Sequence, residues 1–362
     1  MAERVVVVTG PGRVEVCETE PEPLLPERFA VRTLYSGVSA GTELSYVKGT
    51  NPYLGATWNA ELGLFQPGSA ATPYPVTRLG YMEVARVVAS RTPAVAENTL
   101  VAMAYGHRTG YRADPLVDRF VPLPADLDPL LGVYVAHMGP ICANGLLHAA
   151  ADGYGSHVHT LGDGVRGRRV AVFGAGVVGL LTALFARHHD AAEVVVVDPT
   201  PARRAVAEAL GLETLDPDTV DAAQVLKVRW RHGPADRGAD VVFQCRGQDW
   251  ALHQSLRLLR PRGTAIDLAF YQAGAHEVRL GEEFHHNGLS LRCAQIGRVP
   301  RGLDATWDRE RLSAATIELL RACGEELRAH LVTAVVPFDD APRLLVDLAD
   351  RRRHEVQAVL AC

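Results

Sequence analysis

The chain has almost no lysine. Lys48 and Lys227 are the only two, and arginine supplies the rest of its 37 basic side chains. Set against 42 acidic residues, this leaves a formal charge of −5 with no basic stripe, so a nucleic-acid partner is not expected. Cysteine is sparse too: Cys17, Cys142, Cys245, Cys293, Cys323 and Cys362 lie far apart without a C-x-x-C pair. That spacing excludes a disulfide scaffold and a zinc knuckle. Long apolar runs are lacking. Residues 170–186 carry no charge between Arg169 and Arg187, yet fall short of the about 20 residues a membrane span needs. The opening residues show no long apolar core of a secretory leader. A cytoplasmic protein without a membrane partner is expected.

What is present is an ordinary globular composition, 48% hydrophobic and 22% charged over 362 residues. At about 100–200 residues per domain, that length favours two domains sharing a cleft. The first third reads as β-rich, with short apolar or alternating runs at 5–8, 13–17, 29–34, 84–89 and 99–104, punctuated by proline and glycine. Residues 51–75 hold glycine, proline and scattered aromatics with Glu61 as the single charge, which suits a lid over a ligand or a packed irregular insertion. A helix is expected over 130–151, then a glycine-rich linker over 152–167. From residue 168 strands alternate with helices: 169–173, 193–197, 240–244 and 264–269 as strands, 177–187, 201–210 and 248–259 as helices. That rhythm implies a doubly wound parallel α/β sheet. The tail adds helices at 307–322 and 341–352 and strands at 332–336 and 356–360. The expected division is 1–148, 149–295 and 296–362.

The strongest chemistry lies at Gly174, Ala175, Gly176, Val177, Val178 and Gly179, a G-x-G-x-x-G between a strand and a charge-free helix. The first glycine permits a tight turn, the second lets the backbone approach a pyrophosphate, and the third lets helix and strand pack closely. The diphosphate then meets free N–H groups at the positive end of the helix dipole. Asp198 ends the next strand, placed to accept from the adenosine ribose hydroxyls and to repel a 2′-phosphate, so NAD is expected. Arg203 and Arg204, just beyond, could turn towards such a phosphate, which keeps NADP open. Asp198 also suits a helix N-cap.

With these pieces in order, the chain resembles the medium-chain dehydrogenase/reductase superfamily. Residues 35–43, ending S-A-G-T-E, are similar to its "G-V-C-G-T-D" element, and 79–88, L-G-Y-M-E-V-A-R-V-V, to its "G-H-E-x-x-G-x-V" element. Residues 239–247, A-D-V-V-F-Q-C-R-G, resemble the strand and turn that pass the nicotinamide half of the cofactor. The resemblance implies a GroES-like β-rich catalytic domain, a Rossmann domain and a C-terminal segment returning to the first. It also implies Cys245, Arg246, Leu268, Ala269 and Phe270 at the nicotinamide side, and homodimers common in the family. Arg246 departs from the threonine usual in that turn. The family's catalytic zinc positions here carry Ser39 or Ala40, Tyr81 and Met82, with Cys142 out of register. Hydroxyl, phenol and thioether make a poor zinc site, and the structural zinc lobe is missing, so a member without metal is expected. The S-A-G-T-E and G-Y elements look most like a branch holding bacteriochlorophyllide dehydrogenases and actinobacterial biosynthetic oxidoreductases, some acting on cyclitols and aminosugars.

Without zinc, the alkoxide charge of hydride transfer needs hydrogen-bond donors and a proton source. Tyr81, Thr42, Ser39, Glu43 and His107 are the candidates. The histidine pairs 157/159, 188/189 and 285/286 are poor chelates. The reading is a zinc-independent, NAD(H)-linked oxidoreductase of a secondary alcohol or ketone on a polar, sugar-like metabolite. An NADPH-dependent ketone, enone or quinone reductase is the alternative among enzymes. A dinucleotide-sensing module without chemistry is the alternative outside them.

Overall fold

A computed structural model describes residues 2–272 and 274–362. They form two compact units, one from residues up to His137 joined by Val332–Cys362, the other from Met138–Leu331. The breaks expected from composition lie at 148/149 and 295/296. The helix Met138–Tyr154 sits with the second unit because most of its length is buried there, Cys142, Ala143, Leu146, Leu147, Ala149 and Ala150 included. It packs against the helices Val177–His188 and Arg309–Glu326. At the last contact a Cβ on Gly139 would come within 2.2 Å of the Thr316 methyl, so only glycine admits the approach. Segment 296–331 is therefore part of this unit. Residues 152–167 are only partly a connector, since the helix runs on to Tyr154 and a short turn, Leu161–Gly164, is fastened by Asp163.

The second unit is built on six parallel strands: Arg169–Phe173, Glu193–Val197, Glu213–Leu215, Ala239–Gln244, Leu259–Asp267 and Ser290–Cys293. Numbered in chain order, they lie side by side as 3-2-1-4-5-6, the doubly wound Rossmann order. Ala171, Phe173, Val195, Val197, Val242 and Ala265 are buried on this sheet. Central parallel strands are covered on both faces, which is why they read as unbroken apolar runs. The order reverses between Arg169–Phe173 and Ala239–Gln244, and ligands of such sheets bind outside the carboxyl ends at that switch point.

The first unit holds a mixed sheet of seven strands. Phe29–Gly37 pairs antiparallel with Glu83–Ser90 and with the returning Gln357–Ala361. One core beneath it gathers Phe29, Val31, Val87, Val101 and Met103. Residues 51–75 fold as a short hairpin, Ala56–Asn59 with Leu64–Pro67, on which Trp58 and Phe65 touch edge to face while remaining exposed. Among the described residues no helix is long and apolar enough to cross a membrane.

Candidate active site

In the second unit the candidate residues gather at the sheet's switch point. The strand Arg169–Phe173 ends in Gly174 at φ +107°, and the helix Val177–His188 begins at once, capped by Gly176. A Cβ on Gly179 would lie 1.7 Å from the Gly174 carbonyl oxygen, so helix and turn meet at a distance no side chain allows. A Cβ on Gly176 would meet nothing within 4 Å, leaving that face of the turn open. Open backbone before a helix start is the cradle a pyrophosphate requires. Ala175 and Val177 are buried beneath it, and Val178 is half-buried.

Asp198 is placed differently from the sequence expectation. Its side chain has no exposed surface. Oδ2 accepts from the Ala175 N–H at 2.8 Å, and Oδ1 from the Thr200 N–H at 2.7 Å. The Arg246 guanidinium closes on Oδ2 at 3.2 Å. Arg204 donates to the Asp198 carbonyl and to Asp216, both at 2.7 Å, while Arg203 lies half-buried on the first turn of the helix Pro201–Ala209. Cys245, Arg246 and Gly247 follow the strand Ala239–Gln244. A Cβ on Gly247 would lie 2.4 Å from the Phe270 carbonyl oxygen, so this turn packs onto the backbone of Phe270, which ends the stretch 268–270. Gly174, Asp198, residues 245–247 and residues 268–270 thus all follow the carboxyl ends of strands in one sheet, with Arg203 on the helix after Asp198.

Three residues here escaped the sequence. Gln244 donates to the Tyr271 hydroxyl and Tyr271 to Asp267 Oδ2, each at 3.0 Å, while the Ala269 N–H donates to Oδ1 at 2.9 Å. Burial raises the Asp267 pKa to about 6, against those two hydrogen bonds. The one available signal was an acid ending an apolar strand, as at Asp198. A carboxyl whose pKa is raised on folding stabilises the fold at low pH, and that contribution is lost as pH rises from about 4 through about 6. Two pKa units correspond to about 3 kcal/mol. Asp267→Asn, a neutral mimic of the protonated acid, should therefore match wild type near pH 4 and exceed it by about 2–3 kcal/mol at pH 8. Chemical unfolding across that range tests this, and a pH-independent difference would refute it.

In the first unit a buried serine and a half-buried tyrosine lie over a fully buried chain. Ser39 follows the strand Phe29–Gly37, and Tyr81 precedes its antiparallel neighbour Glu83–Ser90. The Gly37 N–H donates to the Met82 carbonyl at 2.8 Å and clamps the two ends together. Ser39 Oγ and the Tyr81 hydroxyl are accordingly hydrogen-bonded. The His137 ring lies 4.6 Å from that of Tyr81, just ahead of the helix Met138–Tyr154 and not within it.

Beneath them His107, Glu43, Glu83 and Ser36 are all buried. His107 Nε2 meets Glu43 Oε2 at 2.8 Å and Nδ1 meets Ser36 Oγ at 2.6 Å, while Ser36 donates to Glu83 Oε1 at 2.9 Å. Glu43 Oε1 accepts from the Ser39 N–H at 2.9 Å. His107 and Glu43 thus support Ser39 from below and present no free edge to a substrate. Thr42 is half-buried, and its carbonyl accepts from the Ser45 side chain at 2.5 Å.

Of the residues expected at zinc positions, Ser39 and Met82 are buried, and Ala40 and Tyr81 are half-buried. Cys142 is a thiol pushed up to about 12 by burial, and it donates to the Val178 carbonyl at 3.4 Å. Among the described residues His253, Glu282 and Glu283 converge elsewhere, but Glu282 already pairs with Arg279 at 3.3 Å and Glu283 with Arg257 at 3.6 Å.

A family model described as zinc-binding dehydrogenase matches residues 177–307. D-guloside 3-dehydrogenase of Shigella flexneri is 24% identical over 98% of this chain and 97% of its own. D-xylulose reductase A of Aspergillus oryzae is 31% identical over 53% of this chain and 48% of its own. Among solved structures, a zinc-binding dehydrogenase of Sinorhizobium meliloti bound to NADP superposes with a TM-score of 0.73 at 20% identity, each chain fully covered. L-idonate 5-dehydrogenase of Escherichia coli gives 0.73 at 18%, covering 100% of this chain and 99% of that one. At such identities the structural likeness is one of fold.

Proposed function

We propose that the chain is a member of the medium-chain dehydrogenase/reductase superfamily and an NAD(P)-linked oxidoreductase of a secondary alcohol or ketone on a sugar-like metabolite, working without zinc. The observation that carries this reading is the Tyr81–Ser39 hydroxyl pair, standing where the family's metal ligands would stand. Zinc requires thiolate, imidazole or carboxylate, and a phenol, a hydroxyl and a buried thioether do not fit it. That chemistry supports a zinc-lacking branch. The substrate class is supported by relatives named for sugars and sugar acids: D-guloside 3-dehydrogenase, D-xylulose reductase A and L-galactonate-5-dehydrogenase.

The open glycine turn and the residues 245–247 and 268–270 suit a dinucleotide, which when bound supplies or accepts the hydride. The chain's own task is the proton. In the reducing direction the Tyr81 O–H donates to the carbonyl oxygen as charge builds there, Ser39 Oγ–H restores the phenol, and solvent water returns a proton to Ser39, so the proton consumed comes from solvent. In oxidation the same pair takes the proton up. A phenol and an alcohol each donate and accept one proton, so the pair relays it without net change in itself. Glu43, anchored by His107, holds the Ser39 backbone N–H and fixes the pair's position. The His137 ring limits the rotation of Tyr81.

The test is an assay of chelator-treated protein with NAD+ and NADP+ against hexosides, pentitols and aldonates, reading reduced nicotinamide. Turnover that survives chelation is expected. Activity lost on chelation and restored by added zinc would overturn the zinc-free mechanism.

A further inference from the structure

Arg246 stands at the point where the strand order reverses, and the carboxylate expected to hold the adenosine ribose lies behind it. We infer that Arg246, not Asp198, reads the 2′ position of that ribose, and that the protein prefers the 2′-phosphorylated dinucleotide. The inference rests on the dinucleotide reading above and goes further in naming the cofactor form.

The argument against Asp198 is one of access and of partners already held. A ribose diol donates hydrogen bonds to an acid it can touch, and this acid has no exposed surface. Its two oxygens are already occupied by the N–H groups of Ala175 and Thr200, which tie the glycine turn to the neighbouring strand end. Asp198 therefore works as a staple of the cradle. Its negative charge, the basis for excluding a 2′-phosphate, is offset by the guanidinium 3.2 Å away.

The argument for Arg246 is one of position. Its Cβ is what a side chain on Gly174 would strike first, at 3.2 Å, so it springs from beside the pyrophosphate turn. From there it reaches Asp198, a residue 48 positions earlier, and spans from turn to ribose corner. The guanidinium is held flat by two contacts, Nε donating to Gln248 Oε1 at 2.7 Å and the Trp250 ring 5.5 Å from its centre. Its side chain keeps 20% exposure, against none for Asp198. A phosphate monoester carries a charge near −2 at neutral pH, a stronger partner than a carboxylate shared with two backbone donors. With five N–H donors the guanidinium can bond the phosphate while keeping its contact with Asp198, so the buried carboxylate retains its counter-charge. Arg203 lies on the first turn of the helix that follows Asp198.

The experiment is a fluorescence titration of the full chain with NADPH and NADH, in wild type and Arg246→Thr, with circular dichroism to confirm folding. A charge-assisted contact predicts wild-type NADPH binding about tenfold tighter than NADH. Arg246→Thr should weaken NADPH by about tenfold or more and move NADH by less than about threefold. A second arm needs no variant: adenosine 2′,5′-bisphosphate should displace NADPH from wild type at about one-tenth the concentration of adenosine 5′-monophosphate. NADH binding as tightly as NADPH, or equal losses of both in Arg246→Thr, overturns the inference while leaving the dinucleotide reading intact. If the variant misfolds, the second arm decides alone. Binding of neither nucleotide to wild type overturns the dinucleotide reading and this inference with it.

Discussion

Tyr81→Phe should lower kcat by about a hundredfold to ten-thousandfold, the range that a positioned general acid contributes. Only the phenolic oxygen is removed. The ring stays to pack on His137, and the strand end at Glu83 is untouched. Stability should therefore hold, and nucleotide Kd, which depends on the other unit's residues, should stay within about threefold. A loss confined to kcat identifies an interaction made in the transition state, whereas a rise in KM at constant kcat would report mere substrate binding. Ser39→Ala should give a smaller loss, because water can replace a hydroxyl behind the phenol more readily than the phenol itself. Steady-state kinetics on the best substrate of the panel test both. A Tyr81→Phe enzyme with kcat within about threefold of wild type would remove Tyr81 from the chemistry.

The parallel sheet was legible because buried strands carry their signature in a few adjacent residues. Residues 169–173 and 193–197 are strands with the bounds their apolar runs suggest, and the glycine spacing marks the turn between strand and helix. The role of Asp198 was not legible in the same way. Spacing shows where a strand ends, but not which donors fill a carboxylate's lone pairs, and one of those donors comes from Arg246, in the turn after another strand. His107 illustrates the same limit. A histidine beside a strand end reads as proton traffic, but its partners, at 36, 43 and 83, share no spacing with it. They meet because Ser36 and Glu83 are register partners in the sheet and because the helix Glu43–Lys48, which the sequence did not suggest, turns Glu43 inward. Long-range pairing decides such clusters, and a linear pattern holds no record of it.

That buried chain sets the second large effect. Glu83→Ala should destabilise the first unit by about 3–5 kcal/mol, as removal of one partner from a buried charged network does. The carboxylate accepts from Ser36, from the Tyr105 N–H at 2.8 Å and from the Gly106 N–H at 3.1 Å, and alanine leaves all three without it. The His107 pKa is raised: burial opposes its charge, yet the Glu43 and Glu83 carboxylates outweigh burial. In that state each hydrogen has an acceptor, Nε2–H on Glu43, Nδ1–H on Ser36, and the Ser36 hydroxyl on Glu83. A histidine whose pKa is raised on folding adds stability that is complete below about pH 6.5 and lost as pH rises through the folded value. Burial raises the Glu83 pKa as well, against His107, Ser36 and the two backbone groups, and that contribution is likewise lost as pH rises above the ordinary carboxyl range. Both slopes run the same way, so the first unit should lose stability from mildly acidic to mildly basic pH. His107→Gln, lower in stability throughout, should flatten the slope above about pH 6.5. Thermal unfolding at a series of pH values reads both results, and an unchanged slope in His107→Gln would mean that the imidazole is neutral in the folded protein.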